Sequence, residues 1–220
     1  DITLTAEEKG TSVIIYGVEA DFGICATQNM EEIGKQMAAM AIAWMDTIYP
    51  DASEHSVKTC IFGQTAVTDL IIRTESISDD ERVNIVYEAE IEDVIDVGFN
   101  RMEEAFTFDP EIKLVFATSA SGSVGCNNYI LSQNIDTSDI GLFCCDYDSV
   151  LEEMLNASSA GRGIIRGSII ASKEPASGVI SCISGIINGT ISSPYIYYHP
   201  LYAMVAPDFD YQYSSEENIA

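Results

Sequence analysis

Apolar residues recur along the chain in six short runs, separated by longer stretches of mixed polarity. Short, mainly apolar runs of this kind, rich in β-branched residues, are typical of strands that are buried on both faces of a parallel sheet. Strands are therefore predicted at residues 12–16, 57–62, 83–87, 112–117, 140–145 and 164–171.

The stretches between these runs carry helical periodicity. Within residues 30–49, Met37, Met40 and Trp44 lie three and four residues apart and share one helix face. Further helices are predicted over residues 66–79, 93–106, 122–134, 148–157 and 175–188. The alternation of strand and helix predicts an α/β fold, with a parallel sheet covered on both faces and right-handed crossovers.

Neither a membrane span nor a signal peptide is visible, because the chain has no run of about 18 apolar residues and no basic-then-apolar opening. The first ten residues lack an initiator Met and resemble the last turn of a helix that ends at Gly10. We therefore expect further sequence upstream.

The charge balance is extreme, with 35 acidic and 10 basic residues and a formal net charge of −25. Such a surface repels nucleic-acid phosphates and anionic lipid headgroups, so a nucleic-acid partner is not expected. Solubility alone accounts for the acidity, and attraction of a cationic solute is a secondary interpretation. The polar, acidic segment 206–220 is expected to be a loosely held tail.

Six cysteines occur without a CxxC pair or a Cys/His spacing suited to zinc, so no metal site or cofactor is predicted. Most lie in apolar runs and are expected to be reduced core thiols. A disulfide between Cys144 and Cys145 is disfavoured, because neighbouring strand residues point to opposite faces.

Polar residues follow the predicted strands at the edge where ligands bind in open parallel sheets, beyond the strands' carboxyl ends. These residues can exchange hydrogen bonds with a polar solute. The candidate ligand-binding residues are Gly17, Gln64, Asp93, Ser119, Asp146 and Ser172.

Asp146 has two interpretations. Directly after a buried strand, its carboxylate could accept hydrogen bonds from neighbouring ligand hydroxyls or amines. It could equally cap the helix that is predicted to follow, and one residue could do both.

The segment 119–125 resembles a phosphate-binding loop but lacks the required lysine and glycine spacing, so a nucleotide site is not predicted. Ser119 is instead expected to offer its hydroxyl to a neutral ligand from a strand-to-helix turn. No catalytic residue is predicted either, because His55 and His199 have no nucleophile nearby in the sequence.

Several local strings, in the right order, resemble the sugar-type periplasmic binding proteins, which share their fold with the effector domains of LacI-type regulators. The strand 109–117 is similar to the family's P-D-I-K-x-V-F-A motif, and Gly125 follows it at the right distance. Residues 6–14 resemble the family's helix end and fourth strand, and 27–34 its hinge segment. Asp146 matches the family's strand-end ligand aspartate, and Gly178 the glycine of the returning helix.

The resemblance implies a parallel-sheet α/β sandwich of the type I periplasmic binding protein kind, with one complete lobe and a partial second one. Residues 29–172 would form the complete lobe, and residues 1–28 and 173–205 the remnant of the other. Hinge segments are expected at 28–29, 146–147 and 172–173. The family's ligand arginine is replaced by Ile71, so Arg73 is expected to support its helix rather than the ligand.

By the same resemblance, the protein would be the solute receptor of an ABC-type transporter that binds a small polar, sugar-like ligand in an interlobe cleft. A membrane permease would be its partner, and its location would be extracytoplasmic, as a periplasmic protein or a lipoprotein. Two alternatives remain open. One is the effector core of a LacI-type regulator, and the other is a hydrolase on the same scaffold.

Overall fold

The computed structural model describes residues 5, 6, 8–64, 68–158, 161–171, 174 and 176–212. The chain folds into two compact units. The smaller unit includes Asp1–Asn29 and Ala171–Leu201, and the larger unit includes Met30–Ile170 and Tyr202–Glu216.

The elements alternate along the chain as the apolar pattern predicts. The strands are β1 (Ile14–Tyr16), β2 (Ile24–Thr27), β3 (Val57–Gly63), β4 (Val83–Glu90), β5 (Leu114–Ala117), β6 (Gly141–Cys145), β7 (Ile165–Ala171), β8 (Tyr195–Tyr198) and β9 (Leu201–Val205). The helices are α1 (Met30–Ile48), α2 (Thr68–Glu75), α3 (Ile95–Phe108), α4 (Ala120–Ser132), α5 (Ser149–Ser158) and α6 (Ala176–Ile187), with a 3-10 turn at Ser76–Asp79 after α2.

The larger unit is built on a six-stranded sheet in the order β4-β3-β5-β6-β7-β9. Strands β3 to β7 pair in parallel, which confirms the predicted sheet type. Because successive strand residues point to opposite faces, Val115 and Leu142 face α3, α4 and α5, whereas Phe116 and Phe143 lie on the other face. There the ring of Trp44 from α1 meets Phe143 edge-on at 5.9 Å.

The smaller unit has a three-stranded parallel sheet in the order β1-β2-β8. Its core joins Ile24 and Ala26 of β2 to Cys182 of α6. Each of the six cysteines in the chain is free and buried, which confirms that they are core thiols.

The six predicted strands are present, but the sequence interpretation missed β2, β8 and β9. Strand β9 lies at the edge of the large sheet, and the expectation that residues up to 205 belong with the smaller part is wrong for residues 202–205. The expectation of a loose tail is wrong for residues 206–212. Phe209 is 9% exposed and packs edge-on against Phe143, and Ala206 is fully buried.

Helices α3 and α4 cross in direct backbone contact. A Cβ atom added to Gly98 of α3 would overlap the carbonyl of Gly122, and one added to Gly125 of α4 would overlap the carbonyl oxygen of Ile95. The glycines that resemble a phosphate loop in the sequence therefore serve helix packing, because α4 already begins at Ala120.

Candidate functional site

The candidate site lies along the carboxyl edge of the larger unit's sheet. Strands β3, β5 and β6 are neighbours in parallel register, and Gln64, Ser119 and Asp146 follow their respective ends. Neighbouring strands in a sheet are about 4.8 Å apart. Asp93 follows β4, the strand on the other side of β3, so four of the six predicted site residues share one edge.

A surface depression of about 470 Å³ opens at this edge, next to the ends of β3 and β4. Two of the predicted ligand residues, Gln64 and Asp93, line it together. The rest of its wall consists of Glu90, Ile91, Glu92, Val97 and Arg101. The depression thus combines two apolar side chains with several hydrogen-bonding groups, a composition that suits a small polar ligand.

Asp93 is held in place from the neighbouring strand connection. The Oγ of Ser119 donates a hydrogen bond to Asp93 Oδ1 at 2.7 Å, and the backbone N–H of Ser121 donates to the same oxygen at 2.9 Å. Burial by itself would raise the pKa of Asp93, but hydrogen bonds from the Ser119 side chain and from the backbone and side chain of Ser121 outweigh it and lower the pKa. Asp93 is therefore a positioned, ionised carboxylate at neutral pH.

The structure corrects the expected role of Ser119. Its side chain caps α4 by accepting a hydrogen bond from Gly122 N at 2.9 Å, and the residue is only 1% exposed. Since its hydroxyl also donates to Asp93, it is fully engaged within the protein. Ser119 acts on the site by orienting Asp93 and is not placed to offer its hydroxyl to a ligand.

The cation in the wall of the depression is also engaged by the protein. Arg101 Nε donates to the carbonyl oxygen of Glu90 at 2.9 Å, and its Nη1 donates to Glu104 at 2.7 Å. Carboxylates outnumber cations in the wall, where Glu90, Glu92 and Asp93 face one arginine. This charge balance favours ligand groups that donate hydrogen bonds, such as hydroxyls and amines.

Asp146 is fixed at the end of β6 by its backbone and its side chain. Its N–H donates to Ile169 O at 3.0 Å, and its carbonyl accepts from Ser168 Oγ at 3.0 Å. Its φ of 73° lies in the left-handed region, which non-glycine residues seldom adopt and which occurs often at functional sites.

A buried arginine holds the Asp146 carboxylate. Arg73 from α2 is 4% exposed and donates from Nη1 to Asp146 Oδ2 at 3.0 Å. Its guanidinium also contacts Cys145 Sγ at 3.1 Å and Met30 Sδ at 3.1 Å. The Asp146 side chain is 38% exposed, and Oδ1 takes no hydrogen bond from the part of the chain that the structure describes. Arg73 therefore supports a carboxylate that keeps one oxygen available for a ligand.

The alternative that Asp146 caps the following helix is not supported. Asp148 performs that role, because its Oδ1 accepts from Val150 N at 2.7 Å and from Leu151 N at 3.3 Å at the start of α5.

Replacing Asp148 with alanine is therefore expected to lower the free energy of unfolding by about 1 kcal/mol, because two backbone donors lose their acceptor. Chemical denaturation of the variant and the wild type measures this difference. A variant as stable as the wild type would remove Asp148 from the capping role.

Of the remaining two predicted residues, one lies in the smaller unit and the other is outside the described part of the chain. Gly17 follows β1 in the smaller unit, where its φ of 82° suits glycine and its N–H donates to Ala26 O at 3.0 Å. Ser172 lies outside the described residues. Their assignment to a ligand site stays a prediction.

One of the three expected hinge positions is wrong. The chain passes between units after Asn29, Ile170 and Leu201, so residues 146–147 lie inside the larger unit. The expected positions 28–29 and 172–173 adjoin the first two crossings, and the third crossing falls after Leu201, the first residue of β9, a strand that the sequence interpretation missed.

Two further observations bear on other kinds of site. Across the described ranges, no group of three or more His, Cys, Asp or Glu side chains is arranged to hold a metal ion. None of the helices in those ranges has both the length and the apolar character that crossing a membrane requires.

No protein-family model matches the sequence, and no curated protein is significantly similar to it. Solved structures are similar in fold. A sugar-binding protein of a sugar ABC transporter from Bacillus halodurans matches with a TM-score of 0.73 at 13% identity, over 96% of this chain and 75% of the other. A carbohydrate transporter solute-binding protein from Agrobacterium radiobacter, in complex with D-arabinose, gives 0.71 at 15% identity, over 92% and 68%.

A protein from Mycobacterium smegmatis in complex with β-D-fucofuranose also matches. Its TM-score is 0.72 at 18% identity, over 93% of this chain and 67% of that one. At these identities the similarity establishes the fold, which is the one expected from the sequence motifs.

Proposed function

From the fold that this chain shares with the sugar-binding proteins of ABC transporters, we propose that it is a solute receptor that binds a small polar, sugar-like molecule. The ligand site is the carboxyl edge of the larger unit's sheet. The protein binds its ligand without a chemical step.

One observation carries the proposal: Gln64 and Asp93, selected from the sequence as ligand residues, line the same depression of about 470 Å³. Gln64 offers both a donor and an acceptor, and Asp93 offers carboxylate oxygens fixed by Ser119 and Ser121. Fixed acceptors suit a polyhydroxylated solute, because the protein has already ordered them before the ligand binds.

Asp146 extends the proposed site along the same edge. It lies after β6, two strands from β3, which corresponds to about 10 Å along the edge. Its carboxylate, held by Arg73, would accept hydrogen bonds from a hydroxyl or an amine of the solute.

The proposal includes a partner and a location. A receptor on this fold would deliver its solute to a membrane permease and would act outside the cytoplasm. Three of the structurally similar proteins are described as sugar-transport components, which supports both inferences.

Replacement of Gln64 or Asp93 tests the site directly. In a thermal-shift screen of sugars, polyols, nucleosides and amines, we expect at least one solute to raise the melting temperature of the wild type, because a ligand that binds only the folded state stabilises it. Gln64→Ala and Asp93→Asn should each reduce that shift by more than half, since each removes a side-chain partner of the solute.

The matched control is Glu153→Gln, which removes one negative charge from an exposed position on α5. It should leave the shift unchanged. Full shifts in Gln64→Ala and Asp93→Asn would place the ligand elsewhere.

A further inference from the structure

His199 lies in the smaller unit, just after β8. Its N–H donates to the carbonyl oxygen of Thr27 at 2.9 Å, which extends the pairing of β8 with β2. Both residues lie close to a crossing between units, because the chain leaves the smaller unit after Asn29 and after Leu201. His199 and its partner Thr27 thus each lie two residues from a point where the chain leaves the smaller unit.

The imidazole ring is enclosed by three elements. It is 5% exposed and meets the ring of Tyr197 from β8 at 5.6 Å and that of Tyr16 from β1 at 6.2 Å, both edge-on. Gly178 of α6 lies directly against it, so that an added Cβ would come within 3.0 Å of Nδ1. Among the described residues, neither ring nitrogen has a hydrogen-bond partner.

The surroundings are almost free of charge. Strands β1, β2 and β8 and helix α6 have the sequences IIY, ICAT, YIYY and ASGVISCISGII, which contain no Asp, Glu, Lys or Arg. Their titratable groups are the thiols of Cys25 and Cys182 and the tyrosine hydroxyls.

The carboxylates that flank these elements lie in the connections between them. Glu19 accepts a hydrogen bond from Tyr198 at 3.0 Å, and Asp21 and Glu174 are exposed. A charged imidazole would consequently lack a counter-ion on every element that packs against it.

We infer that His199 is an acid-sensitive element of the smaller unit, whose ring must stay neutral for β1, β8 and α6 to remain packed around it. A neutral ring packs as an aromatic side chain and leaves one donor and one acceptor nitrogen without a partner, which costs less free energy than an unpaired buried charge. A protonated ring would be a buried charge without a partner, and the surrounding elements must open to hydrate it.

The direction of the pH effect follows from burial, which lowers the pKa of His199 below the ordinary 6.5. In the opened form the ring is hydrated and has the ordinary pKa of 6.5. Below pH 6.5 the opened form therefore binds a proton that the packed form does not bind. The population of the opened form should therefore rise by up to about tenfold per pH unit, until the buried ring itself is protonated. This effect is independent of the proposed solute site.

Hydrogen exchange on the full chain between pH 5 and pH 7 tests the inference. In the wild type, the protection factors of β1, β8 and α6 should decrease as the pH is lowered through this range, by up to about tenfold per pH unit. In His199→Phe, which keeps an aromatic ring that cannot be protonated, they should stay level. Equal acid sensitivity in His199→Phe and the wild type would overturn the inference.

The chain offers a matched control, because its other histidine, His55, has an exposed side chain in the larger unit. His55→Gln should show the same acid sensitivity as the wild type. The His55→Gln protein also leaves a single histidine, so its ring signal in an NMR titration reports on His199 without using the phenylalanine variant. A midpoint at or above 6.5 would contradict burial of a neutral ring.

Discussion

Replacing Gly125 with alanine is expected to lower the free energy of unfolding by about 3 kcal/mol or more. The added methyl group would overlap the carbonyl oxygen of Ile95 and lie 2.6 Å from the backbone nitrogen of Phe99. Backbone atoms cannot rotate away as a side chain can, so helices α3 and α4 would have to separate. Gly98→Ala should have a similar effect, because its methyl group would lie 2.6 Å from the carbonyl carbon of Gly122.

Gly63 provides the control for this prediction. An added Cβ at this position would have Thr74 at 4.0 Å, which is ordinary van der Waals contact. Gly63→Ala should therefore change the free energy of unfolding by less than about 1 kcal/mol. Denaturant titration of the three variants measures the difference, and a Gly125→Ala protein as stable as Gly63→Ala would contradict the close crossing of α3 and α4.

The second large effect is expected at Asp146. Asp146→Ala should weaken binding by about 2 kcal/mol, roughly thirty-fold in Kd, because a charged acceptor is lost, and should reduce the thermal shift caused by the solute accordingly. It should also destabilise the fold, since Arg73 is 4% exposed and would lose its carboxylate partner. Calorimetric titration with the solute separates the binding loss from the stability loss.

Two further variants make the result at Asp146 interpretable. Asp146→Asn keeps an oxygen for Arg73 and tolerates the left-handed backbone, so it should fold well and yet bind more weakly than the wild type. Asp148→Ala loses stability through the α5 cap but should bind normally. Wild-type affinity in Asp146→Ala would remove this residue from the site.

The parts of the fold that could be predicted are those with strong local patterns. Strands β3, β5, β6 and β7 are buried on both faces or nearly so, and each lies in a mainly apolar stretch of the sequence. Strands β8 (YIYY) and β9 (LYAMV) are apolar as well, but they are short and half-exposed, and the sequence interpretation did not assign them as strands. Strand β2 is buried but only four residues long, and its Cys, Ala and Thr give only a weak strand signal.

The candidate site could be predicted only in outline. The rule that ligands bind at the carboxyl ends of parallel strands selected Gln64, Asp93 and Asp146 correctly as residues of one edge. The pairing of Arg73 with Asp146 spans 73 positions, and no local pattern encodes it. The role of Ser119 could not be predicted, because its burial depends on how Asp93 approaches the start of α4, a tertiary contact.

The glycines of α4 illustrate the same limit. Gly122 and Gly125 resemble part of a phosphate loop when only the sequence is considered. Their function became clear from the position of α3, whose backbone occupies the space that a Gly125 side chain would need and whose Gly98 lies against the backbone of Gly122. The sequence showed only the glycine spacing, and only the structure showed that a second helix packs against this segment.

Hydrogen exchange of the wild-type chain, with and without a pool of neutral sugars and polyols in large excess, tests the central claim most directly. We predict slower exchange at the carboxyl edge of the larger unit, at residues 63–64, 90–93 and around 146, because a bound solute suppresses local opening. Unchanged exchange at these residues, or protection confined to other parts of the chain, would contradict a solute site at this edge.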